Sequence, residues 1–310
     1  MDPVLNAPVY LQLPLDTASK QYVTINTHRG LFQYNRLPFG VASAPAIFQR
    51  HMEVLLQGLD GVSVYLDDIL VAGRTLDEHL SRLAEVLKRL EDSGMRLNKQ
   101  KCLFLCSSIE YLGHVVDEVG IHPTEEKVKA IKEAPAPTNV TQLRSFLGLI
   151  NYYNKFLPNL AANLTPLSKH QRWVWNDKQQ VAFQRAKDAL QSDALLTHYD
   201  PTKPLVLACD ASDYGVGAVL SHIVDGGKER PIAYISRTLS AAQKHYSQLE
   251  KEALAIIFAV KKFHCYLIGR HFTIESDHQP LKTLFGETSK IPNMASSRIV
   301  RWAVILLAYR

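Results

Sequence analysis

The sequence predicts an α/β protein of two or three domains, and three patterns along the chain support this fold class. Short β-rich stretches occupy residues 10–42, apolar residues at helical spacing follow near the middle, and a strand–strand–strand–helix–strand pattern begins at residue 204. The 310 residues are 46% hydrophobic and 21% charged, which is ordinary globular composition. This composition excludes collagen-like and disordered chains, and the length suits about two or three domains.

Charge and cysteine content narrow the class of protein further. The formal net charge of +5 permits a polyanionic partner without requiring one. Charged residues interrupt every apolar run before it reaches the roughly 18 residues of a membrane span, so no membrane association is expected. The N-terminus lacks a basic start and an apolar core, so it does not resemble a signal peptide. Four cysteines suit a reducing compartment, and we expect an intracellular protein, cytoplasmic or nuclear.

In the first half of the chain, helix signals surround an apolar segment. Ser43 and Pro45 predict the start of a helix that runs to about Gln57. Thr75 and Glu78 predict a capping box that opens a second helix ending at Gly94. The leucines of this second helix recur at helical spacing, at positions 76, 80, 83, 87 and 90.

Further along, a charged helix over about 125–133 is stopped by a proline-rich stretch at 134–137, a plausible joint. A basic-faced helix follows, in which Leu143, Phe146, Leu147 and Ile150 recur at i, i+3, i+4 and i+7, and another helix is predicted near 177–191. The strands predicted after residue 204 are Leu205–Cys209, Val216–Leu220, Ile232–Ile235 and Phe272–Ser276. A long helix capped by Ser247 and Glu250 separates the last two, and the chain closes on a helix through Ile299, Trp302 and Ile305.

The pair Asp67–Asp68 is the first candidate for chemistry. Two carboxylates inside an apolar hairpin are costly unless they lie at an exposed turn or hold cations, and local physics weights these two readings about equally. Asp-Asp is a poorer two-residue turn than Asn-Gly, whereas a pair of oxygen ligands on a rigid hairpin suits Mg²⁺-dependent phosphoryl chemistry.

A second candidate set consists of Asp210, Glu252 and Asp277. Both aspartates are predicted to end strands, and acids that end neighbouring strands can converge on one rim of a sheet. Glu252 lies at the edge of the apolar stripe of the long helix and is free to reach that rim, because Glu250 is used in the capping box. Taken alone, each acid is more simply interpreted as a solvent-exposed residue at the end of its element. Together the three supply the carboxylates that a two-metal site needs.

These residues carry a resemblance to a known family. Leu37–Gln49, Tyr65-Leu66-Asp67-Asp68 and Tyr111-Leu112-Gly113-His114 resemble the palm of a reverse transcriptase. Residues 143–153 resemble its thumb, and the segments around Asp210, Glu252 and Asp277 resemble its RNase H domain. The order of these blocks is that of the Pol polyprotein of Gypsy-type LTR retrotransposons. The resemblance implies an α+β palm over 1–118, a helical thumb over 119–172, a connecting segment over 173–198 and a mixed-sheet RNase H-like domain over 199–310.

The resemblance also implies residue roles. Asp67 and Asp68 match the palm metal ligands, and Asp210, Glu252 and Asp277 match three RNase H metal ligands; all five are the predicted catalytic carboxylates. The implied cofactor is Mg²⁺, with Mn²⁺ as a substitute. The implied partners are a primer–template, an RNA–DNA hybrid and a deoxynucleoside triphosphate, recognised mainly through backbone and shape. The residues that match substrate contacts are Tyr10, Phe39, Gly40, Gln49, Tyr111, Leu112, Gly113 and His114.

Two departures from the family pattern lower the expected activity. Leu5 stands where the family places its first palm aspartate, and the segment matching a fourth RNase H carboxylate is missing, so the sequence reads as shortened at both ends. Losing a direct metal ligand can cost several kcal/mol in the transition state. We therefore expect negligible polymerase activity and weak or absent RNase H activity.

Two other functions compete with this interpretation. The segment Leu15-Asp16-Thr17-Ala18-Ser19 suggests an aspartic protease, but it lacks the glycine that lets the catalytic loop turn. The more serious alternative is a remnant or host-retained fragment that binds nucleic acid without cleaving it.

Overall fold

The computed structural model describes residues 9–168, 173, 175–190, 195–224, 226–285 and 297–309. Leu5 and its surroundings lie outside these ranges. The chain divides into two compact units, Met1–Cys106 and Ser107–Arg310. Helices and strands are mixed in both units, which confirms the predicted α/β class.

The first unit combines two hairpins with two longer helices. Strands β1 and β2 pair antiparallel, as do β3 and β4. Helices α2 and α3 supply Phe48, Met52, Val86 and Leu90 to its core. The elements are α1 (Thr17–Lys20), β1 (Thr24–Thr27), β2 (Gly30–Gln33), α2 (Ala44–Leu55), β3 (Val62–Tyr65), β4 (Asp68–Val71) and α3 (Leu76–Asp92).

Several local predictions for this unit need correction. Ser43 precedes α2 but its side chain caps nothing, because its backbone is already helical. Thr75 caps α3 as predicted, whereas the Glu78 carboxylate accepts from Arg74 rather than from Thr75, so the capping box is incomplete. Of the predicted leucine stripe only Leu90 is buried. The helix that the leucine spacing predicted is confirmed, and most of these leucines lie at its partly or fully exposed positions.

The second unit begins with a three-stranded antiparallel sheet and a group of helices. Its first elements are β5 (Ser108–Tyr111), β6 (His114–Asp117), β7 (Ile121–Pro123), α4 (Glu125–Glu133), α5 (Val140–Tyr152), α6 (Leu160–Ser168) and α7 (Asp177–Ala189). Helices α4, α5 and α7 confirm the predicted ones. Leu143, Phe146 and Ile150 are buried along α5, as their spacing predicted, and share a core with Phe183 of α7.

The rest of the second unit is a mixed four-stranded sheet in the order β10-β9-β8-β11. Strand β8 pairs antiparallel with β9 and parallel with β11, and α9 packs against β8 and β9. A capping box between Ser247 and Glu250 opens α9, as predicted. The elements are β8 (Leu205–Ala211), β9 (Gly215–Val224), β10 (Lys228–Thr238), α8 (Ala241–Lys244), α9 (Gln248–Lys262), α10 (His264–Leu267), β11 (Phe272–Glu275), α11 (Gln279–Phe285) and α12 (Ser297–Leu307).

Candidate functional site

The acidic pair of the first unit lies at the tip of the β3–β4 hairpin. Tyr65 pairs with Asp68, so the two turn residues are Leu66 and Asp67 rather than the two aspartates. Leu66 adopts a left-handed conformation with φ of 51°, which the tight turn requires. Both carboxylates are exposed. The hairpin therefore presents two adjacent acids to solvent without the cost of burying them.

Gln49 of α2 holds this hairpin turn. Its Oε1 accepts from the backbone N–H of Leu66 at 2.6 Å, and its Nε2 donates to the carbonyl oxygen of Val64 at 3.0 Å. The same Nε2 donates to Glu53 at 2.8 Å. A contact of Gln49 with an incoming nucleotide stays a prediction, and in the structure its amide supports the turn that carries the two acids.

Replacing Gln49 with leucine should loosen the turn. The change keeps the side-chain volume but leaves the partly buried N–H of Leu66 without its acceptor, at a cost of about 1–3 kcal/mol. We expect faster amide hydrogen exchange over Val62–Val71, measured by mass spectrometry. Gln57→Leu, at an exposed position after α2, is the matched control. Equal exchange in both variants would show that Gln49 does not support the turn.

The base of the same hairpin is fixed to α3. The Arg82 guanidinium donates to the carbonyl oxygen of Ala72 at 2.6 Å, and it pairs with Glu78. Gly61 has a φ of 69°, and a Cβ there would lie 2.7 Å from the same carbonyl oxygen. Only glycine fits both the backbone conformation and this close approach. Tip and base are thus each held by side chains from a neighbouring helix.

The residues predicted to contact a nucleotide include an aromatic group in the first unit. The ring of Tyr10 lies 5.2 Å from that of Phe39 and 5.9 Å from that of Phe48. Phe39 is 56% exposed, and Gly40 beside it has a φ of 86° with open space where a Cβ would be. The structure brings Tyr10 and Phe39 together, while their contact with a substrate stays a prediction.

Asp16, the basis of the protease alternative, has a structural role. Its carboxylate accepts from the backbone N–H of Ser19 at 2.7 Å and caps the short helix α1. These hydrogen bonds lower the pKa of Asp16. Nothing in this geometry resembles a protease carboxylate pair.

The acids of the second unit come from three neighbouring elements. Glu275, the last residue of β11, pairs with Ala208 of β8, so Asp277 lies two positions past the end of β11 and Asp210 lies two positions further along β8. Asp210 lies inside β8, which runs to Ala211, rather than at the strand end as predicted. Both aspartates are exposed, whereas Glu252 on α9 is 4% exposed.

Glu252 is the electrostatic centre of this group. Burial raises its pKa to about 7, and the negative charges of Asp210 and Asp277 act in the same direction. Its Oε1 accepts from Gln248 at 2.6 Å, while its buried Oε2 finds no hydrogen-bond partner among the described residues. A buried carboxylate oxygen without a partner, next to two further acids, is a position that a cation would stabilise.

Two neighbours of Glu252 on α9 escaped the sequence prediction. Gln248, four positions earlier, reaches both Glu252 and, at 3.5 Å, the carbonyl oxygen of Ala211 at the end of β8. Lys251 is 6% exposed and donates to Asp213, in the turn after β8, at 2.7 Å. The i, i+4 spacing of Gln248 and Glu252 could have indicated the first contact. The second joins residues distant in sequence and left no local signal.

The predicted substrate contacts Tyr111, Leu112, Gly113 and His114 form a second tight hairpin, within the second unit. Tyr111 pairs with His114, and Leu112 and Gly113 are the turn residues. Burial lowers the pKa of His114, and the nearby Lys155 ammonium lowers it further. The structure places these four residues in one hairpin turn, and their contact with a primer stays a prediction.

The carboxylates of both candidate sites are suitable ligands for Mg²⁺, but among the described residues they do not surround an ion on their own. Within the described ranges, no three His, Cys, Asp or Glu side chains stand close enough together to surround one ion. The donors on offer are carboxylate oxygens, which Mg²⁺ and Mn²⁺ prefer. Asp67 and Asp68 would hold an ion in the first unit. In the second unit the partnerless Oε2 of Glu252 would be one ligand, and Asp210 and Asp277 lie near enough to act on its charge without forming a three-ligand cluster with it.

Comparison with known families gives two matches along the chain. Residues 7–116 match the family described as reverse transcriptase (RNA-dependent DNA polymerase), and residues 175–274 match the RNase H-like domain found in reverse transcriptase. The chain therefore carries a reverse transcriptase domain followed by an RNase H-like domain.

Individual relatives show which group of reverse transcriptases this chain resembles. The chain is 40% identical over 306 residues to the retrovirus-related Pol polyprotein from transposon 297 of Drosophila melanogaster, covering 96% of this chain and 28% of that protein. It is 35% identical over 286 residues to the transposon Tf2-3 polyprotein of Schizosaccharomyces pombe, covering 90% and 21%. The chain thus belongs to the retrovirus-related Pol polyproteins of transposons, and it spans less than a third of the length of these relatives.

Solved structures give the same result for the fold. The foamy viral protease–reverse transcriptase in complex with RNA/DNA hybrid superposes with a TM-score of 0.76 at 25% identity, over 97% of this chain and 41% of that one. The same viral protein in complex with dsDNA gives 0.76 at 26% identity, over 94% and 62%. In the part of the chain that the structure describes, no helix is long and apolar enough to cross a membrane.

Proposed function

We propose that this chain is the reverse transcriptase and RNase H portion of a Gypsy-type retrotransposon Pol protein. Its reactions would be RNA-directed DNA synthesis and cleavage of the RNA strand of an RNA–DNA hybrid. The proposed segments are a palm over 1–118, a thumb over 119–172, a connection over 173–198 and an RNase H-like domain over 199–310. The observation that carries the proposal most directly is the buried Glu252 carboxylate beside Asp210 and Asp277.

In the proposed RNase H reaction the carboxylates have distinct tasks. Bound Mg²⁺ would neutralise the charge that develops on the phosphoryl oxygens. Asp210 and Asp277 are exposed and would face the scissile phosphate. The Oε1 of Glu252 accepts a hydrogen bond from Gln248, which fixes the orientation of this carboxylate. Because the pKa of Glu252 is about 7, its ionised form is only partly populated at neutral pH without a cation.

The partners that we propose are a primer–template, its RNA–DNA hybrid and a deoxynucleoside triphosphate. The excess of basic residues, 35 against 30 acidic ones, suits contacts with a phosphate backbone that weaken as salt increases. The relatives with solved structures are complexes with RNA/DNA hybrid and dsDNA. We also propose that these reactions take place inside the cell, in the cytoplasm or the nucleus.

Hybrid cleavage tests the proposal. With Mg²⁺ and a labelled RNA–DNA hybrid, the weak cleavage expected of the wild-type chain should disappear in Asp210→Asn, because the substitution removes a carboxylate that would hold the ion. Asp188→Asn, exposed on α7, is the matched control and should cleave like wild type. Product sizes on a denaturing gel report the rate.

The alternative of a non-enzymatic binding protein predicts another outcome of the same experiment. Salt-sensitive hybrid binding that Asp210→Asn leaves unchanged, with no product in any variant, would overturn the RNase H proposal and favour that alternative. It draws support from the lack of a three-ligand cluster among the described side chains.

A further inference from the structure

The turn formed by Leu112 and Gly113 carries hydrogen bonds that its own hairpin does not require. Both residues are left-handed, with φ of 48° and 67°, as a two-residue turn of this kind demands. In an isolated hairpin the carbonyl oxygens of such a turn would face water. Here both accept hydrogen bonds from side chains at the C-terminal end of α5.

Two consecutive tyrosines supply these contacts. The hydroxyl of Tyr152 donates to the carbonyl oxygen of Leu112, and the hydroxyl of Tyr153 donates to that of Gly113 at 3.0 Å. The Nδ1 of His114 lies 2.7 Å from the Leu112 carbonyl oxygen and donates to it, because a carbonyl oxygen only accepts. We call these two tyrosine hydroxyls and the two carbonyl oxygens the tyrosine latch.

Aromatic packing orients the latch. The His114 ring stacks on Tyr152 and on Phe156, with centroid distances of 5.4 and 5.6 Å, and meets the edge of Tyr153 at 5.5 Å. A Cβ on Gly113 would lie 3.6 Å from the hydroxyls of both tyrosines. The turn is therefore seated on the two tyrosines, with little room between them.

The latch also joins the turn to a rigid helix. Tyr152 is the last residue of α5, and Tyr153 is 1% exposed in the core that contains Phe146 and Ile150. Since α5 is fixed by this buried stripe, the turn is held at a fixed position relative to α5. Ring packing alone is not directional and would allow the turn to change its orientation relative to α5. Hydrogen bonds to two successive carbonyl oxygens are directional and specify one orientation.

We propose that Tyr152 and Tyr153 are positioning residues that fix the Leu112–Gly113 turn against α5, so that it can place the primer terminus. The role in primer placement rests on the proposed function, whereas the mechanical coupling does not. Neither residue was identified from the sequence as more than part of the thumb resemblance.

The test removes the hydroxyls and keeps the rings. Tyr152→Phe and Tyr153→Phe should each accelerate amide exchange of the 108–117 hairpin about fivefold, the effect of one lost hydrogen bond, and the double variant should exceed either single variant. A primer–template with 2-aminopurine at the primer 3′ end, in metal-free buffer, should fluoresce more strongly with each variant. Its Kd should change less than twofold, because the rings remain.

Tyr309→Phe is the matched control. It removes a tyrosine hydroxyl that donates to the carbonyl oxygen of Val260 at 3.2 Å, elsewhere in the second unit. We expect it to lower the melting temperature without affecting exchange of the 108–117 hairpin.

Each outcome decides between the possible roles. Unchanged exchange in the double variant would overturn the latch. Faster exchange with unchanged 2-aminopurine fluorescence would show that the tyrosines stabilise the hairpin but do not place the primer, which also overturns the proposal. Failure of the wild-type chain to bind primer–template would instead contradict the proposed function, and the exchange measurement would still decide whether the coupling exists.

Discussion

Glu252→Gln should abolish hybrid cleavage and, in metal-free buffer at pH 8, stabilise the second unit. The substitution keeps the size of the side chain but removes the buried charge that the proposed site needs. A loss of cleavage of about 100- to 1,000-fold is expected for removing one group that stabilises a phosphoryl transition state. The gain in stability has a separate origin, in the cost of ionising a carboxyl group inside the protein.

The pH dependence of stability follows from the raised pKa. Burial moves the pKa of Glu252 from its ordinary value of 4.5 to about 7, so between these pH values the folded state holds a proton that the unfolded state has released. Stability from this group is therefore highest below pH 4.5 and falls as the pH rises to 7. The full cost is on the order of 3 kcal/mol.

Thermal unfolding at pH 6 and pH 8 without metal measures this effect. The wild-type chain should lose more stability than Glu252→Gln over this interval, and Mg²⁺ should reduce the difference if the cation binds at Glu252. Glu229→Gln, at an exposed position of β10, is the control and should behave like wild type. Parallel pH dependence in wild type and Glu252→Gln would refute the assignment of the raised pKa.

The largest effect in the first unit is expected from the acids of the β3–β4 hairpin. Asp67→Asn combined with Asp68→Asn removes both negative charges that would hold a divalent cation there, while the exposed amides cost the fold little. We expect Mn²⁺ affinity at this hairpin to fall at least tenfold, measured by electron paramagnetic resonance on a Glu252→Gln background to suppress binding in the second unit.

Metal binding is the primary readout because the sequence predicts negligible primer extension by the wild-type chain. Any single-nucleotide incorporation that it does support with Mn²⁺ should vanish in the double variant. Asp60→Asn, exposed ahead of β3, is the control. Equal Mn²⁺ affinity in the control and the double variant would argue that the hairpin is an exposed turn and nothing more.

The sequence predicted the helices and strands better than it predicted their boundaries and the residues that pack against them. Helix α4 was predicted at its observed bounds, and the strands around β8 were found because continuous apolar runs reflect burial on both faces. The leucine spacing of α3 predicted the helix correctly, but periodicity alone does not show which residues cover that face, and Leu76, Leu80 and Leu87 are exposed. Asp210 was placed at a strand end rather than inside β8, an error of boundary that is common when the partner strand is unknown.

For the candidate sites, too, the sequence predicted the residues with a local signal and missed the contacts that depend on tertiary structure. Motifs identified Asp67, Asp210 and Glu252 because carboxylates in apolar segments are conspicuous in any sequence. The support of Gln49 for the Leu66 turn and the hydroxyl contacts of Tyr152 were not predictable, since each joins residues that only the tertiary fold brings together. Neutral polar side chains are common at surfaces, and nothing local distinguishes one that holds a turn.

The parallel pairing of β8 with β11 has a consequence for the kinetics of folding. Strands β9 and β10 join β8 through successive antiparallel neighbours, whereas β11 pairs with β8 across the whole intervening stretch that contains β9, β10 and α9. Such non-local pairings are slow, because the chain must close a long loop before it gains the contact. Asp277 should therefore be the last of the three acids to arrive, and a refolding time course followed by hydrogen exchange should show β8 and β9 protected before β11.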